Sequence, residues 1–425
     1  MNPSLFEKIA SLCFALALGH TFSVKQFQKK ALEYPAGSLG ENFFHLLGEV
    51  EVVFGLWAGV FIALSLVFFD RNQTLEYLNH CQFTEPLFVF VIMVVCSTKP
   101  VLEMVEVVVL KLAYWIFKIT KVHSSYSIYF VSLVVGPLLG SLITEPAAMT
   151  VTALFLLKFL FQQKISVKAK YLTLGLLFVN VSIGGVLTPY AAPPVLMVAA
   201  KWNWDLYFML THFAWRALGA MIVSTFIVIL LLKKDLVKIH AEHLFRNKTT
   251  VPSWIMMAHL GALFLIVLTH LSPVIFVGLF LFFLGLVKVT MEYQKNLKLK
   301  ESLLVGFFLA GLVVLGGPQK WWLQPLISSL NSYSLYLGAA VLTAFTDNAA
   351  LTYLGSQVEN LQDISKFALV AGSVVGGGLT VIANAPNPAG YSILNSEFGE
   401  QGISPMQLFL GALLPTVVSA IFFFP

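Results

Sequence analysis

Two acidic residues occupy matching places in two similar stretches of an otherwise apolar chain. Glu145 lies in Thr-Glu-Pro-Ala-Ala-Met-Thr, residues 144–150, and Asp347 lies in Thr-Asp-Asn-Ala-Ala-Leu-Thr, residues 346–352. An ionisable group in an apolar membrane segment is costly to bury and usually has a function. Its oxygens, and those of neighbouring hydroxyl and amide groups, suit hard cations such as sodium. The predicted ion-binding residues here are Asp347, the first candidate, Glu145, Asn348, Thr346 and Thr144.

A second pair of similar stretches follows the first. Gly-Gly-Val-Leu-Thr-Pro at residues 184–189, followed by Ala-Pro-Pro, is answered by Gly-Gly-Leu-Thr at 377–380, followed by Ala-Pro-Asn-Pro. Unwound backbone inside a bilayer is tolerated where protein or a water-lined cavity satisfies it, so both stretches should border an ion path. A proline kink for packing and glycines for close helix contact are the alternatives. These stretches add Thr188, Thr380, Asn384 and Asn387 to the predicted ion-binding residues.

The chemistry expected of such a site is exchange. Burial disfavours the charged form of a carboxyl group, so a proton and a metal ion would compete for it. A site that holds either ion, but does not easily cross empty, gives obligatory antiport when access to it alternates between the two sides. The alternative for Glu145 and Asp347 is a structural role as helix caps.

Composition places the chain in a membrane. Of its 425 residues, 58% are hydrophobic and 11% are charged, and the mean hydropathy is +0.84, far from the values of soluble domains. The net charge of +5 lies mostly in a few loops, which is typical of membrane topology and predicts no nucleic-acid partner. Three scattered cysteines do not suggest a transition-metal site or a disulfide framework, and no catalytic motif indicates an enzyme or a cofactor.

Loop charge predicts the topology. Lysine-rich segments flank residues 126–161 on both sides, so both ends should face the cytoplasm and the segment should be a re-entrant hairpin that turns at 144–146. The flanks of residues 333–358 carry little positive charge, so that hairpin should enter from the opposite side. The chain would then be an inverted repeat, an arrangement in which binding sites lie near the middle of the membrane.

The predicted fold is an all-α polytopic membrane protein with about ten crossings, two hairpins and both termini outside the cell. A helix at 100–119, which contains Glu103 and Glu106, is predicted to lie in the membrane interface. The predicted crossings are 5–21, 44–69, 87–98, 171–200, 206–232, 254–270, 274–287, 303–316, 367–394 and 407–424. The predicted domains are an N-terminal repeat at 1–232 with hairpin 126–161 and broken helix 171–200, a cytoplasmic linker at 233–252, and a C-terminal repeat at 253–425 with hairpin 333–358 and broken helix 367–394.

Two opposed hairpins and two broken helices resemble the ion transporter superfamily, which includes sodium/dicarboxylate carriers, arsenite permeases and sodium/proton antiporters. Within it, residues 346–352 and 184–189 are similar to motifs of a bacterial family of sodium/proton antiporters. The resemblance covers nearly the whole chain. It implies an inverted-repeat transporter in the inner, or cytoplasmic, membrane that contacts lipid and forms a homodimer.

This chain departs from the dicarboxylate carriers at the hairpin turns. Those carriers place neutral Ser-Asn-Thr groups there, whereas this chain has Glu145 and Asp347, which would attract a cation and repel an anion. The predicted function is therefore exchange of a monovalent cation, with sodium first, for protons by alternating access. The alternative is a sodium-coupled carrier of a dicarboxylate or another small anion, which Lys201, Arg216 or Lys366 would favour if one of them lay in the site.

Overall fold

The computed structural model describes residues 3–246, 249–399 and 401–425, and the regular structure in these ranges is helical. Among them, seven helices are long and apolar enough to cross a membrane, or eight if the bent pair Arg71–His80 and Thr84–Cys96 counts as one span. The axes of that pair meet at 55°. The prediction of an all-α, polytopic membrane protein is confirmed.

The α-helices are numbered in chain order. Those of the first half are α1 Leu5–Ala31, α2 Leu39–Leu47, α3 Val53–Phe68, α4 Arg71–His80, α5 Thr84–Cys96, α6 Lys99–Thr120, α7 Ser124–Ile143, α8 Glu145–Leu156, α9 Val167–Gly184, α10 Pro193–Trp202 and α11 Leu206–Met209. Those of the second half are α12 Trp215–Leu231, α13 Lys233–Leu236, α14 Ser253–Leu268, α15 Pro273–Val289, α16 Leu299–Gly316, α17 Lys320–Ser328, α18 Ser332–Thr343, α19 Asn348–Ser356, α20 Asp363–Gly376, α21 Asn387–Leu394 and α22 Pro405–Phe422. Short 3₁₀ segments are Val50–Val52, Gly185–Leu187, Glu242–Arg246, Met291–Tyr293, Gly317–Gln319 and Asn395–Phe398, and π-helical turns are Leu157–Phe161 and Leu210–Ala214.

Most predicted crossings coincide with long apolar helices. The crossing predicted at 87–98 falls in the bent pair, those at 254–270 and 274–287 fall in the shorter apolar helices α14 and α15, and the one at 367–394 is divided between α20 and α21. The other predicted crossings overlap the candidate spans Leu5–Ala31, Val50–Phe68, Val167–Leu187, Leu206–Leu231, Leu299–Ser328 and Pro405–Phe422.

The helix boundaries differ from the predicted crossing boundaries at two places. The crossing predicted at 44–69 begins at Val50, because α2 ends in a cap at Gly48 before the backbone turns into the next helix. The helix of the first predicted crossing does not stop at residue 21. It continues as helix to Ala31 because lysine and glutamine, which are good helix formers, fill its last turns.

Glycines bring helices into close contact in one compact unit, which comprises Met1–Val91, Lys298–Leu330 and Tyr353–Leu361. A Cβ atom on Gly311 of α16 would lie 2.4 Å from the carbonyl oxygen of Phe54 in α3. The two helices therefore pack backbone against backbone, which is typical of membrane helices that lack a hydrophobic driving force for association.

The other unit comprises Ile92–Leu297, Asn331–Thr352 and Gln362–Pro425, and it contains every residue predicted above to bind the ion. Its helices α9 and α22 also meet through glycine, since a Cβ atom on Gly175 would lie 2.4 Å from the amide nitrogen of Ala412. Both units combine segments from distant parts of the sequence. The two compact units are not the predicted repeats at 1–232 and 253–425, which were defined by sequence similarity between the two halves. That division into repeats stays a prediction.

Candidate ion-binding site

The first helix break lies at Thr144, where the sequence predicts a turn. Helix α7 ends at Ile143 and α8 begins at Glu145, with Thr144 between them at φ 72° and ψ 152°. Positive φ is a genuine outlier for a β-branched residue, and such backbone strain clusters at functional sites. Pro146 lies in the first turn of α8, where its missing N–H costs no helical hydrogen bond.

Glu145 is fully buried at the start of α8. Its Oε2 accepts a hydrogen bond of 2.8 Å from Nδ2 of Asn384, and its Oε1 has no hydrogen-bond partner among the described residues. The positive end of the helix dipole favours negative charge at this position. A buried carboxylate with one satisfied oxygen still requires a proton or a cation on the other.

The free oxygen of Glu145 points at the second break of the first half. A Cβ atom on Gly185 would lie 2.5 Å from Oε1, so a residue with a side chain does not fit there without displacing the acid. Gly185 follows directly after α9, in the 3₁₀ turn that ends at Leu187. The two interruptions predicted for the first half therefore meet at Glu145.

Asp347 lies at the corresponding break of the second half and is half-buried. Its Oδ1 accepts hydrogen bonds from the amides of Ala349, at 2.9 Å, and Ala350, at 3.0 Å, as an N-terminal cap of α19 does. The capping role considered from the sequence is thus present. The residue after Asp347 bonds Ala383, which precedes Asn384, the partner of Glu145, so Asp347 lies in the same region as Glu145.

Three asparagine side chains surround this region and are almost completely inaccessible. The backbone N–H of Asn348 donates a hydrogen bond to the carbonyl of Ala383 at 3.1 Å. Nδ2 of Asn387 donates to the carbonyls of Gly377, at 2.7 Å, and Thr380, at 2.8 Å. These contacts fix the backbone of the break after α20 around the asparagine side chains.

Several buried oxygen atoms here lack a hydrogen-bond partner among the described residues. Buried polar atoms are normally paired, and an unpaired one costs about 1–3 kcal/mol. Hydroxyl, amide and carboxylate oxygens are those that bind a hard cation, so the unpaired oxygens at these two breaks suit such a ligand. The atoms are Thr144 Oγ1, Glu145 Oε1, Asn348 Oδ1, Asn384 Oδ1 and Asn387 Oδ1.

The remaining predicted threonines bind backbone carbonyls instead. Thr188 Oγ1 donates to the carbonyl of Ser141 at 2.7 Å, and Thr380 Oγ1 donates to that of Ala344 at 2.9 Å. The bond of Thr188 links the break after α9 to the end of α7, and the bond of Thr380 links the break after α20 to the end of α18. Thr346 Oγ1 donates to the carbonyl of Leu342 within its own turn, and the structure does not place this hydroxyl at Glu145.

Sequence reasoning missed three buried hydroxyl residues of this region. Ser141 Oγ donates a hydrogen bond to the carbonyl of Gly184 and accepts one from the backbone amide of Leu187, and so fixes the backbone of the break after α9. Ser182 Oγ donates to the carbonyl of Val374 at 2.7 Å, and Thr343 Oγ1 is buried without a partner among the described residues. Ser141 and Thr343 stand three residues before Thr144 and Thr346, so a longer alignment of the two halves identifies them.

A helical, multi-pass membrane protein with buried carboxyl and amide oxygens at adjacent helix breaks has the architecture of an ion transporter. Over residues 5–424 the chain matches the model of a protein family described as "Putative Na+/H+ antiporter", and it belongs to that family. The family predicted from the sequence is therefore confirmed. Membership supports exchange of cations for protons as the general activity. It also indicates that the protein is a transporter rather than an enzyme. No curated protein is significantly similar to the chain.

Proposed function

We propose that this protein exchanges sodium for protons by alternating access, with Glu145 as the carboxyl group that holds either ion. The observation that carries this proposal is that Oε1 of Glu145 is buried without a hydrogen-bond partner among the described residues, beside Asn384, whose Oδ1 is also unpartnered. An oxygen in that situation is stabilised by a bound proton or by a bound cation. Because one atom serves both, binding of one ion releases the other.

Neutral oxygens complete the proposed sodium site. Asn348, Asn384, Asn387 and Thr144 contribute oxygen atoms without adding charge, so a single sodium ion neutralises Glu145 as a proton does. The charge of Asp347 attracts cations to the same region while its own oxygen caps α19. Equal net charge in the two loaded states permits either one to cross, whereas the empty, charged state does not cross easily.

The proposed architecture is an inverted repeat in which α7–α8 and α18–α19 are re-entrant hairpins that enter from opposite sides. Its support is the matching pair of anchors, from Thr188 to Ser141 and from Thr380 to Ala344. The distribution of lysines supports external termini in a bacterial inner membrane. The homodimer rests on the resemblance to related carriers.

Everted membrane vesicles that contain a pH-sensitive dye test the proposed exchange. After respiration has acidified the vesicle interior, addition of sodium should dissipate the pH gradient, and lithium and potassium tested in parallel define the selectivity. Glu145→Gln should abolish the response, because it keeps the shape and removes the titrating oxygen. Glu33→Gln, which changes an exposed acid paired with Lys30, is the matched control and should respond like the unmodified protein.

Normal exchange by Glu145→Gln at wild-type expression would refute the proposed role of this residue. Absence of any cation response in the unmodified protein would refute the exchange itself. Uptake of a labelled dicarboxylate with sodium in the same vesicles would instead support the anion carrier considered from the sequence.

A further inference from the structure

Glu145 is the one acidic side chain that is fully buried among the described residues. The helices that pack against α8 add few charges around it. The sequences of α7 and α21 contain no acidic or basic residue, and the two lysines of α9 lie in its first turn. On α6, Glu103 accepts hydrogen bonds from two backbone amides and Glu106 is half-buried. His259 is buried too, but it bonds a carbonyl of its own helix, α14. The buried site therefore contains one titrating acid.

No basic side chain of the described residues is hydrogen-bonded to Glu145. Its partner is Asn384, an amide that neither gains nor loses a proton. The basic residues considered from the sequence have other surroundings. Arg216 donates to two carbonyls at the end of α22, Lys366 is paired within the first turn of α20, and Lys201 is exposed. A sodium ion that binds Glu145 therefore has no lysine or arginine partner to displace or to deprotonate.

Asp347 is held in a different way from Glu145. Its Oδ1 accepts hydrogen bonds from the amides of Ala349 and Ala350 at the positive end of the α19 dipole, and both interactions favour the carboxylate form. The side chain is only half-buried, so its charge does not bear the full cost of removal from water. The carboxylate of Asp347 is thus stabilised by the protein itself, whereas that of Glu145 needs a bound ion.

We propose that the protein exchanges one sodium ion for one proton, so that a transport cycle moves no net charge across the membrane. This ratio rests on the proposed exchange at Glu145. As sodium binds, the O–H bond of the Glu145 carboxyl group breaks and the proton passes to water, and the reverse occurs on the other side. Asp347 has the same charge in both loaded states, and a charge present in both crossings cancels over the cycle. The pH gradient therefore drives exchange and the membrane potential does not.

The balance point of the two gradients gives the ratio. Purified protein is placed in liposomes that contain a pH-sensitive dye, with valinomycin and equal potassium on both sides to hold the potential at zero. For an about tenfold sodium gradient, proton flux should stop at a pH difference of about one unit, because every tenfold gradient of a monovalent ion has the same free energy. Two protons for each sodium ion would move the balance point to about half a unit. Liposomes with Glu145→Gln, which should not exchange, give the background leak.

The effect of valinomycin tests whether net charge moves. With equal potassium on both sides, valinomycin only removes a potential that transport itself creates. The initial rate of sodium-driven proton flux should be the same with and without it, since a potential acts only on net charge that crosses the membrane. A severalfold faster flux with valinomycin, or a balance point at half a pH unit, would overturn the one-to-one ratio.

Proton release on sodium binding counts the protons without transport. Titration calorimetry in detergent, in buffers with different ionisation enthalpies, gives the number of protons released for each sodium ion bound. Over a series of pH values the number should approach one and not exceed it, both in the unmodified protein and in Asp347→Asn, and Glu145→Gln should release none. A maximum above one, or a lower maximum in Asp347→Asn, would overturn the ratio, since Asp347 would then titrate with sodium. If the liposomes show no exchange, the proposed function fails, and this number still decides whether the site holds the two ions one for one.

Discussion

Asn384 donates a hydrogen bond from Nδ2 to Oε2 of Glu145 over 2.8 Å, although 239 residues separate them in the sequence. Both side chains are buried, and each retains one oxygen without a hydrogen-bond partner among the described residues. The contact places a neutral amide oxygen beside a carboxyl oxygen, as a small cation site requires. It also joins the break after α20 to the beginning of α8.

Asn384→Ala should raise the KM for the transported cation by about 10- to 100-fold. The substitution removes one bond to a carboxylate, worth about 1.5–3 kcal/mol, together with the amide oxygen. Dye measurements over a range of sodium concentrations give the KM. Asn331→Ala is the control, because Asn331 only caps the exposed start of α18 and its loss should leave the KM unchanged. A KM for Asn384→Ala within a factor of two of the wild-type value would contradict the proposed site.

Asp347→Asn should abolish or strongly reduce exchange while leaving the protein as stable as before. Asparagine caps a helix as well as aspartate does, so the bonds to Ala349 and Ala350 persist and only the charge is lost. Asp347→Ala removes the cap as well and should destabilise the protein by about a further 0.5–2 kcal/mol. Melting temperatures in detergent and vesicle exchange rates separate these effects. Full exchange by the asparagine variant would show that Asp347 acts only as a cap.

The breaks at Thr144 and after Gly184 and Gly376 were predictable, because proline, glycine and duplicated motifs mark them directly in the sequence. The sequence did not predict that Glu145 is fully buried whereas Asp347 is half-buried. The repeats look alike locally, and the difference arises from neighbours distant in sequence: Asn384 and Gly185 pack against Glu145, whereas Asp347 binds the first amides of its own helix. The break at Gly48 was not predicted, because the apolar residues before it and those from Val52 onward were taken as one crossing although Glu49 and Glu51 lie between them.

Thr144→Gly should stabilise the fold and weaken cation binding at the same time. Glycine adopts the positive φ of 72° without the penalty paid by a β-branched side chain, which is about 1–3 kcal/mol, but it lacks the hydroxyl oxygen. Thr144→Ala also lacks the hydroxyl and keeps a Cβ atom at positive φ. The glycine variant should therefore melt at a higher temperature than the alanine variant, with both showing a raised KM for sodium. Equal melting temperatures would show that the backbone at this position is not strained.

Gly378→Ala should abolish exchange and lower the melting temperature, because the break after α20 touches the interior of α9 through this residue. A Cβ atom on Gly378 would lie 2.4 Å from Cα and 2.5 Å from the amide nitrogen of Val179. Backbone atoms of a buried helix cannot move aside as a flexible side chain can, so the break after α20, which carries Asn384, must move away from α9 and the bond between Asn384 and Glu145 is strained. Gly338→Ala on α18 is the control: nothing lies within 4 Å of its added carbon, and removing a glycine from a helix interior should stabilise by about 0.5–1 kcal/mol. Vesicle exchange and thermal melting of both variants test this prediction. Wild-type behaviour of Gly378→Ala would mean that close approach of the break after α20 to α9 is not needed for the site.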